Sequence, residues 1–587
     1  MLTKKDISKV EIFLYAFPLI PFIICFVQSS SRGMFLVFPL VFLLGLFLLS
    51  FKRQLEYILY TLFSFGPSLL IYKFMEGGNE NPGLVTLTVS IVLFLLFVFC
   101  IKYSISRKAG SVLFEKIQLR KVSKIIIPVT IVIIGFLGFL DIKNEGIIFR
   151  QLPSQLQTRL NSTNIGAATA QERLIFINDG LKISSDSPII GFGGEAWAAI
   201  YKKYQHMPYI SNKAHNGYLE WLIDTGWVGF ILFISVSIYF FWLLFRNYLK
   251  QKENTLQVAV MVSTLGIFLH SFLDYNFSYS TIWLVIIWLF VMGLDKTTGI
   301  KTIQDKKFVI FQGVPLIVFS IMMVLNLFFS YRFMTADMLY TKFKQSKSLS
   351  FREETIKRAV SYDPENILYQ RSLADTYFLK LRFENTPEAK QQLDDLIHDL
   401  TTLEPSNSTL QLKAGTLSEQ AKDKRNALKY YSMGLKIDHY NKKLYENSIR
   451  LKVTVAIENR KSGDKKGAEK LLQSAIKDYQ DEKKWYDYFL THAPKEAERF
   501  NSRDFEVTAR SHYFAALAYF LQKDFSEVEA ISSTIKNNNE EKEKVCALEI
   551  MALQTDGKLE EAQALLDKYE KLFPLLQETI KNMEHLL

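Results

Sequence analysis

The sequence predicts an all-α protein in two parts, a polytopic bundle of transmembrane helices followed by a soluble helical solenoid. Of its 587 residues 49% are hydrophobic, and nearly all the long apolar runs lie before residue 335. From about Thr335 onward the sequence becomes charged, with Ala and Leu at helical spacing. This change of composition predicts a membrane domain over residues 1–334 and a soluble domain over residues 335–587.

Nine apolar runs are each close to the length needed to cross a hydrocarbon core, which takes about 20 helical residues. They cover residues 10–28, 34–51, 55–75, 84–103, 125–141, 226–245, 256–273, 279–294 and 308–332. The first run follows a basic flank, as in a signal peptide, but no small-residue cleavage site comes after it. We therefore interpret it as a retained membrane anchor.

Lys and Arg are concentrated in alternate loops, and cytoplasmic loops collect these residues. The basic segments are the N-terminus, 52–53, 107–124, 246–252 and 296–307. Segments 76–83, 142–216 and 274–280 are poor in net positive charge. With nine spans and the N-terminus inside, the large loop 142–216 and the C-terminal domain are predicted to lie outside the cytoplasm.

The net charge of +11 does not predict a nucleic-acid partner, because no nucleic-acid-binding motif accompanies it. Much of the excess lies in basic clusters between apolar runs, where it sets membrane orientation. Three cysteines are too few for a disulfide framework, and Cys25 and Cys100 lie inside apolar runs. No CxxC or paired-His spacing indicates a metal site, so we expect neither a metal ion nor a cofactor.

Three short strings recur in the C-terminal half: DPEN at 363–366, EPSN at 404–407 and DHYN at 438–441, separated by 41 and 34 residues. A step of 34 is the tetratricopeptide period. Residues of matching size occupy the repeat's offsets at Ala427, Tyr431, Gly434 and His439, and again at Ala562, Leu566, Tyr569 and Pro574. This half resembles tetratricopeptide repeats, in which such positions pack neighbouring helices. A protein partner and a glycan both stay open as ligands of its surface, and no single residue identifies either.

The loop 142–216 is too long for a tight connection, and loops of this size are usually functional or disordered. Within it, AQERLIFINDGLKISSDSP contains a short amphipathic helix, with Leu174, Ile177 and Leu181 at helical spacing. The string GFGGEAW at 191–197 follows as a glycine-rich turn. We expect these elements to lie across the top of the helix bundle.

Four polar motifs follow one another in and after this loop: QERLIFINDGLKI containing Arg173, DSPIIGFG at 186–193, HNGYL at 215–219 with TGWVG at 225–229, and HSFLDYNF at 270–277. In this order and on this topology they resemble the O-antigen ligase and polymerase superfamily of bacterial membrane proteins. SSSRGMFL at 29–36 is similar to that family's Ser-Arg-Gly signature, which lies well inside the membrane domain of most members. Here it follows one span, so we expect several of the family's N-terminal helices to be missing.

The resemblance implies an enzyme that transfers a glycan from an undecaprenyl diphosphate carrier to an acceptor hydroxyl at the outer face of the cytoplasmic membrane, without a metal. A diphosphate leaving group needs cations, and Arg makes bidentate contacts with phosphate oxygens. Arg32, Arg159 and Arg173 fall on the outward side and are the expected diphosphate-binding residues. His215 is expected to hydrogen-bond or deprotonate the incoming hydroxyl, because imidazole titrates near neutral pH.

Structural interpretations stand beside these functional ones. Asn216 is suited to cap the following helix, and Gly191 and Gly193 to satisfy backbone geometry. His270 and Asp274 lie at a membrane boundary, where ionisable residues are functional hypotheses, although structural pairing explains them equally well. Each of the three arginines has an alternative as an interface anchor, and His215 as an interfacial histidine.

Two other functions stay open at this level. A flippase of lipid-linked sugars would need outward and inward cationic surfaces and charged residues inside its spans. A non-enzymatic scaffold of cell-envelope assembly would use the repeat half to recruit partners and the membrane half as an anchor. The acceptor also stays open, since a glycan repeat unit, a lipid, a wall polymer and a protein all offer hydroxyl groups, and this choice separates polymerase from ligase.

Overall fold

A computed structural model describes the chain from Leu2 to Leu586 except for residues 5–6, 30, 77–79, 107–122, 153–156, 158–167, 251–253, 295–305, 494–502 and 536–539. Every regular element in these described residues is helical, which confirms the all-α prediction. The chain divides into two compact units. The first contains Met1–Trp197 and Ser211–Thr302, and the second contains Ala198–Ile210 and Ile303–Leu587.

The first unit consists of apolar helices and of the short helices of the large loop. They are α1 Lys9–Ala16, α2 Leu19–Gln28, α3 Arg32–Leu48, α4 Phe51–Glu76, α5 Glu80–Ser106, α6 Ser123–Lys143, α7 Ile147–Gln151, α8 Ala168–Asp186, α9 Ala196–Tyr204, α10 Gly217–Lys250, α11 Thr255–His270, a 3₁₀ turn Asn276–Ser278 and α12 Ser280–Gly293. Helix α9 begins in the first unit and continues into the second.

Among the residues that the structure describes, five helical stretches are long and apolar enough to cross a membrane: Lys9–Gln28, Phe51–Lys73, Val85–Lys102, Ile125–Lys143 and Gly217–Lys250. The shorter apolar helices α3, α11 and α12 coincide with three further predicted runs. The protein is therefore a multi-pass membrane protein, as its hydropathy predicts.

The ninth apolar run, at 308–332, lies in helix α13, Lys306–Gln345, a single helix of 40 residues. The change of composition near residue 335 thus falls inside one helix. Beyond that point Ala336, Leu339 and Phe343 are buried in a cluster with Ile356 of the next helix. Because α13 is continuous, the compact unit begins at Ile303 and takes in the apolar run.

The second unit continues from α13 as a succession of helices, each packed against its neighbours in the chain. They are α14 Leu349–Tyr362, α15 Ile367–Glu384, α16 Pro387–Leu403, α17 Ser408–Gln420, α18 Lys424–Ile437, α19 Lys442–Lys461, α20 Lys465–His492, α21 Ala509–Gln522, α22 Phe525–Thr534, α23 Glu540–Thr555, α24 Leu559–Glu570 and α25 Leu576–Leu586.

The three recurring strings mark the starts of helices. The side-chain oxygens of Asn366, Asn407 and Asn441 each accept a hydrogen bond from a backbone N–H in the first turn of α15, α17 and α19. A capping residue satisfies a backbone donor that the helix itself leaves unpaired. The recurrence of these strings is therefore explained by repeated helix initiation.

Small residues in this unit lie where helices approach closely. A Cβ atom added to Gly434 would lie 2.7 Å from a methyl carbon of Leu444, and one added to Gly415 would lie 2.4 Å from the Tyr431 ring. Ala427 has no exposed surface. Ala427 and Gly434, two of the small residues noted above, are thus buried where neighbouring helices approach closely.

Candidate functional site

The His-Asn turn precedes helix α10 and is shaped by its own backbone. The Asn216 side-chain oxygen accepts hydrogen bonds from the N–H groups of Tyr218 and Leu219, both at 3.1 Å, so Asn216 caps the helix. His215 has φ +51°, a left-handed conformation that costs a non-glycine residue about 1–2 kcal/mol. The surroundings must hold the His215 imidazole in place, because the local backbone disfavours this conformation.

A second turn, after helix α11, faces the His-Asn turn. The Gly217 N–H donates to the carbonyl oxygens of Ser271 at 2.8 Å and Asp274 at 3.0 Å. A Cβ atom at residue 217 would lie 2.9 Å from the Phe277 ring. The HNGYL and HSFLDYNF motifs, separated in sequence by an entire helical hairpin, are thus joined backbone to backbone.

His215 and Asp274 form the centre of the site. His215 Nδ1 lies 3.4 Å from Asp274 Oδ1, and the two side chains are 35% and 30% exposed. Burial opposes ionisation of Asp274, but the neighbouring imidazole and the N–H of Tyr275 hold its pKa below the usual range. A carboxylate beside Nδ1 favours the tautomer in which Nε2 carries the lone pair that a general base needs.

Aromatic rings hold the imidazole from two directions. The Phe176 ring, on helix α8, stacks on His215 with 6.1 Å between centroids and an angle of 23°. The Tyr275 ring meets it edge-on at 5.0 Å. These contacts and Asp274 together supply the restraint that the strained backbone requires.

The second histidine of the region, His270, is buried and lies among structural partners. Its Nδ1 is 2.7 Å from the Asn276 amide nitrogen, and its Nε2 is 3.4 Å from the Ser31 hydroxyl. An amide nitrogen can only donate, so Nδ1 accepts and Nε2 carries the proton. His270 therefore connects the start of helix α3 to the turn that carries Asp274.

This connection locates the Ser-Arg-Gly signature. A Cβ atom at Gly33 would lie 3.1 Å from His270 Nε2, so the first turn of α3 lies directly against the α11 end. Arg32, the first residue of α3, is half-buried at that position. The signature and the HSFLDYNF motif are thus brought together by packing.

Arg173 lies on helix α8, three residues before Phe176 and thus on the same helical face. Since the Phe176 ring stacks on His215, this face of α8 is the one turned toward the His-Asn turn. A Cβ atom at Gly180 would lie 2.6 Å from Leu219, which shows how closely α8 approaches α10. The other arginine predicted from the large loop, Arg159, lies outside the described residues.

The glycine-rich string forms backbone hydrogen bonds with helix α10 at a point where that helix is interrupted. Gly226 has φ +64° and ψ −173°, which interrupts the helix. Residues 188–193, the bridging segment, satisfy the backbone groups that the break exposes. The hydrogen bonds are Phe192 N–H to Ile223 O, Gly193 N–H to Asp224 O, Trp227 N–H to Pro188 O and Val228 N–H to Ile189 O, at 2.7–3.2 Å.

Both predicted glycines of this segment have positive φ, +71° at Gly191 and +94° at Gly193. A Cβ atom at Gly191 would lie 2.5 Å from the Asp224 backbone, whereas one at Gly193 would meet no atom within 4 Å. Gly191 is thus required by both conformation and close approach, and Gly193 by conformation alone.

Sequence reasoning missed Glu220, although it lies in the quoted stretch KAHNGYLEW. Its carboxylate is buried, accepts the Ala214 N–H at 2.7 Å and also accepts the Ser278 hydroxyl. It thus ties the chain just before His215 to the turn just after Asp274. An acidic residue one turn into an apolar helix was the available signal.

Comparison with known proteins agrees with the resemblance. Residues 17–234 match the family model described as O-Antigen ligase. No curated protein matches the chain. The matched range contains the Ser-Arg-Gly signature, Arg173, the bridging segment and the His-Asn turn, while His270 and Asp274 lie beyond it. The first part of this multi-pass membrane protein is therefore similar to the O-antigen ligase family, which supports a role in joining or polymerising glycans at a membrane.

Proposed function

We propose that the chain is a metal-independent membrane glycosyltransferase of the O-antigen ligase or polymerase type. It would transfer a glycan from undecaprenyl diphosphate to an acceptor hydroxyl at the outer face of the bacterial cytoplasmic membrane. The observation that carries the proposal is the paired His215 and Asp274, 3.4 Å apart on two turns bonded backbone to backbone. The family match over residues 17–234 supports the reaction class.

In the proposed step, His215 Nε2 takes the proton of the acceptor hydroxyl while the oxygen attacks the anomeric carbon of the donor sugar. A new C–O bond forms, the bond to the diphosphate oxygen breaks, and undecaprenyl diphosphate leaves. Asp274 stabilises the imidazolium that results, which later gives its proton to water. Asn216, Gly191, Gly193 and His270 act by shaping the turns that carry this pair.

The diphosphate carries the negative charge that develops on the leaving group. We assign its neutralisation to Arg32 and Arg173, with Arg159 as a third candidate, because guanidinium groups make paired hydrogen bonds to phosphate oxygens. The half-buried Arg173 is best supported, since it shares a helix face with Phe176, whose ring stacks on His215.

The C-terminal half is assigned to the extracytoplasmic side, as the Lys and Arg asymmetry of the loops predicts. We retain residues 1–334 as the membrane glycan ligase or polymerase-like domain and 335–587 as a tetratricopeptide-like domain that can present a protein or glycan partner. The helix-capping asparagines and the close contacts at Gly415 and Gly434 support the repeat assignment.

The proposal is tested by expressing His215→Ala, Arg173→Lys and Arg32→Lys at matched membrane levels. Polymer length and accumulated lipid-linked precursor are measured together. His215→Ala should reduce transfer by about 10²–10⁴-fold, the usual contribution of a general base. Both lysine variants should also accumulate precursor, because lysine keeps the charge but loses the two-pronged contact.

His398→Ala is the matched control, since His398 is an exposed histidine of helix α16. It should make polymer of normal length. Normal polymer from His215→Ala as well would leave the histidine a structural residue and favour the scaffold interpretation of the membrane half.

A further inference from the structure

One short part of the second unit is strongly basic. Residues 424–470 contain 13 Lys and Arg residues and five Asp and Glu residues, a local net charge of +8. These residues belong to helices α18 and α19 and the start of α20. Membrane orientation cannot explain this concentration, because the segment lies inside the helical solenoid.

The same three helices enclose an open groove of about 510 Å³. Its polar lining consists of Lys424, Arg425, Lys429, Ser432, Lys452 and Ser474. Three partly buried aliphatic side chains complete it: Leu428, Val455 and Leu471. The groove thus combines cations, hydroxyl groups and a small apolar floor.

The basic side chains of the groove differ in whether they already form an ion pair within the protein. Lys452 is buried and its Nζ lies 2.5 Å from Asp478 Oδ2, and Lys424 is paired with Glu458. Arg425 and Lys429 are exposed, and neither forms a salt bridge with any residue that the structure describes. Lys429 Nζ lies 5.6 Å from the centroid of the Tyr430 ring, but no described carboxylate neutralises either charge, so both can pair with an anionic ligand.

Three exposed basic residues and a serine form a row along helix α18. Arg425, Lys429, Ser432 and Lys436 recur at steps of three and four residues and so share one face. At 1.5 Å of rise per residue the row is about 16 Å long. A row of this length matches several successive units of an extended polymer better than a single small anion.

We propose that this groove binds an anionic glycan chain, one whose sugar units carry phosphate or carboxylate groups. The inference rests on the proposed function, because it requires the second unit to be outside the cytoplasm, where such an acceptor or product would be met. The cations pair with the anionic groups, the serines hydrogen-bond sugar hydroxyls, and the aliphatic floor packs against the C–H faces of sugar rings.

An anionic membrane surface is the competing partner, and the structure disfavours it. A helix that lies on a membrane inserts exposed apolar residues beside its basic ones. In α18 the residues Ala427, Tyr430 and Tyr431 are buried in the solenoid. No large apolar residue of α18 is exposed, so its basic face lacks the side chains that a membrane-bound helix inserts into lipid.

Binding can be measured with the purified full-length chain in detergent, using polygalacturonate as the carboxylate probe, phosphomannan as the phosphate probe and dextran as the neutral one. At least one anionic probe should bind, with an affinity that falls as salt is added, and dextran should not. Reversing both free charges, in Arg425→Glu with Lys429→Glu, should weaken binding by about tenfold or more, because attraction is replaced by repulsion at two sites.

The control is Lys571→Glu with Lys581→Glu, which changes the net charge equally at two exposed lysines outside the groove. It should leave the affinity within about twofold, because exposed charges beyond a Debye length are largely screened. Equal weakening in both double variants, equal binding of dextran, or binding to phosphatidylglycerol vesicles in place of glycans would each overturn the proposal.

The same assay separates this inference from the proposed function. His215→Ala should bind the anionic probe with wild-type affinity, since His215 lies outside the second unit. If that variant transfers glycan normally while the groove variants still lose binding, the catalytic proposal fails and the binding surface stands. If His215→Ala transfers nothing and the groove variants bind the probe normally, the catalytic proposal stands and the binding proposal fails.

Discussion

The His-Asn turn of the first unit and the helix connections of the second satisfy many of their buried polar groups by different means. Around the His-Asn turn the first unit relies on backbone hydrogen bonds, of which the bridging segment and the Gly217 N–H are the main examples. The second unit relies on paired charged side chains, such as Arg503 with Asp438. Among membrane-capable helices an unsatisfied backbone group costs several kcal/mol, which explains why backbone hydrogen bonds of the bridging segment close the break in α10, whereas the second unit joins its segments with ion pairs.

The Arg503–Asp438 pair is the most buried example in the second unit. Asp438 has no exposed surface, and its two oxygens accept hydrogen bonds from Arg503 at 2.7 and 2.8 Å. Arg503 also donates to the Gln205 side chain at 2.9 Å. Gln205 belongs to Ala198–Ile210, the part of the large loop that the second unit includes. The Arg503 guanidinium therefore joins three segments: the loop segment 198–210, the residue that ends helix α18, and the connection before helix α21.

The largest stability effect is expected from breaking this pair. Arg503→Ala leaves a buried carboxylate without its cation and should destabilise the second unit by about 3–5 kcal/mol. Arg510→Ala is the control, because its contact with Glu446 is at the surface and should contribute at most about 1 kcal/mol. Hydrogen exchange over α19 in the purified chain measures the destabilisation in both variants. Equal destabilisation would contradict the distinction between the buried and the surface ion pair.

In Arg503→Ala, the contribution of Asp438 to the pH dependence of stability should change sign. Burial alone would raise the pKa of Asp438, but the Arg503 guanidinium holds it below the usual range. In the native protein the pair's contribution is therefore present above the unfolded pKa and lost as the pH falls through the folded pKa. In Arg503→Ala the unpaired carboxyl should have a raised pKa, so acidification from pH 7 to about 5 should stabilise it relative to neutral pH.

A somewhat smaller effect is expected at the bridging segment. Gly191→Ala adds a Cβ atom that meets the Asp224 backbone at 2.5 Å and should destabilise the first unit by about 2–4 kcal/mol. Gly193→Ala also has a left-handed backbone but meets open space, so it should cost only about 1–2 kcal/mol. Thermal unfolding of the two variants in detergent measures the difference. Identical melting temperatures would show that the contact between residue 191 and the Asp224 backbone does not affect stability.

The smallest effect is expected from one of the two hydrogen bonds to Glu220. Ser278→Ala removes a donor but leaves the Ala214 N–H in place, so it should destabilise by about 1–2 kcal/mol. Ser185→Ala, whose hydroxyl only bonds the preceding turn of its own exposed helix end, should be nearly neutral. Limited proteolysis at the His-Asn turn compares the two variants. Equal resistance to the protease would show that the Ser278 hydroxyl does not help to hold the Glu220 carboxylate.

These comparisons also show what sequence can predict. Run length and composition predict the spans and the all-α fold, because crossing a bilayer fixes helix length. Local rules predict the capping by Asn216 and the backbone role of Gly191, because both depend on a few neighbouring residues.

The contacts between turns could not be predicted in the same way. The approach of Asp274 to His215, the stacking of Phe176 and the inclusion of Ala198–Ile210 in the second unit depend on tertiary packing. Periodicity states which face of a helix is apolar, but it does not state which turn that face meets. The motif order named residues of both turns, and the structure pairs Asp274 with His215 and His270 with Ser31.

The most direct test of the central claim is a double-mutant cycle on His215 and Asp274, measured as transfer from undecaprenyl diphosphate-linked glycan by the purified chain. If the two residues act as one unit, His215→Ala should lower the rate by about 10²–10⁴-fold, and adding Asp274→Asn should lower it no further. Fully additive losses, or a wild-type rate from His215→Ala, would contradict the account.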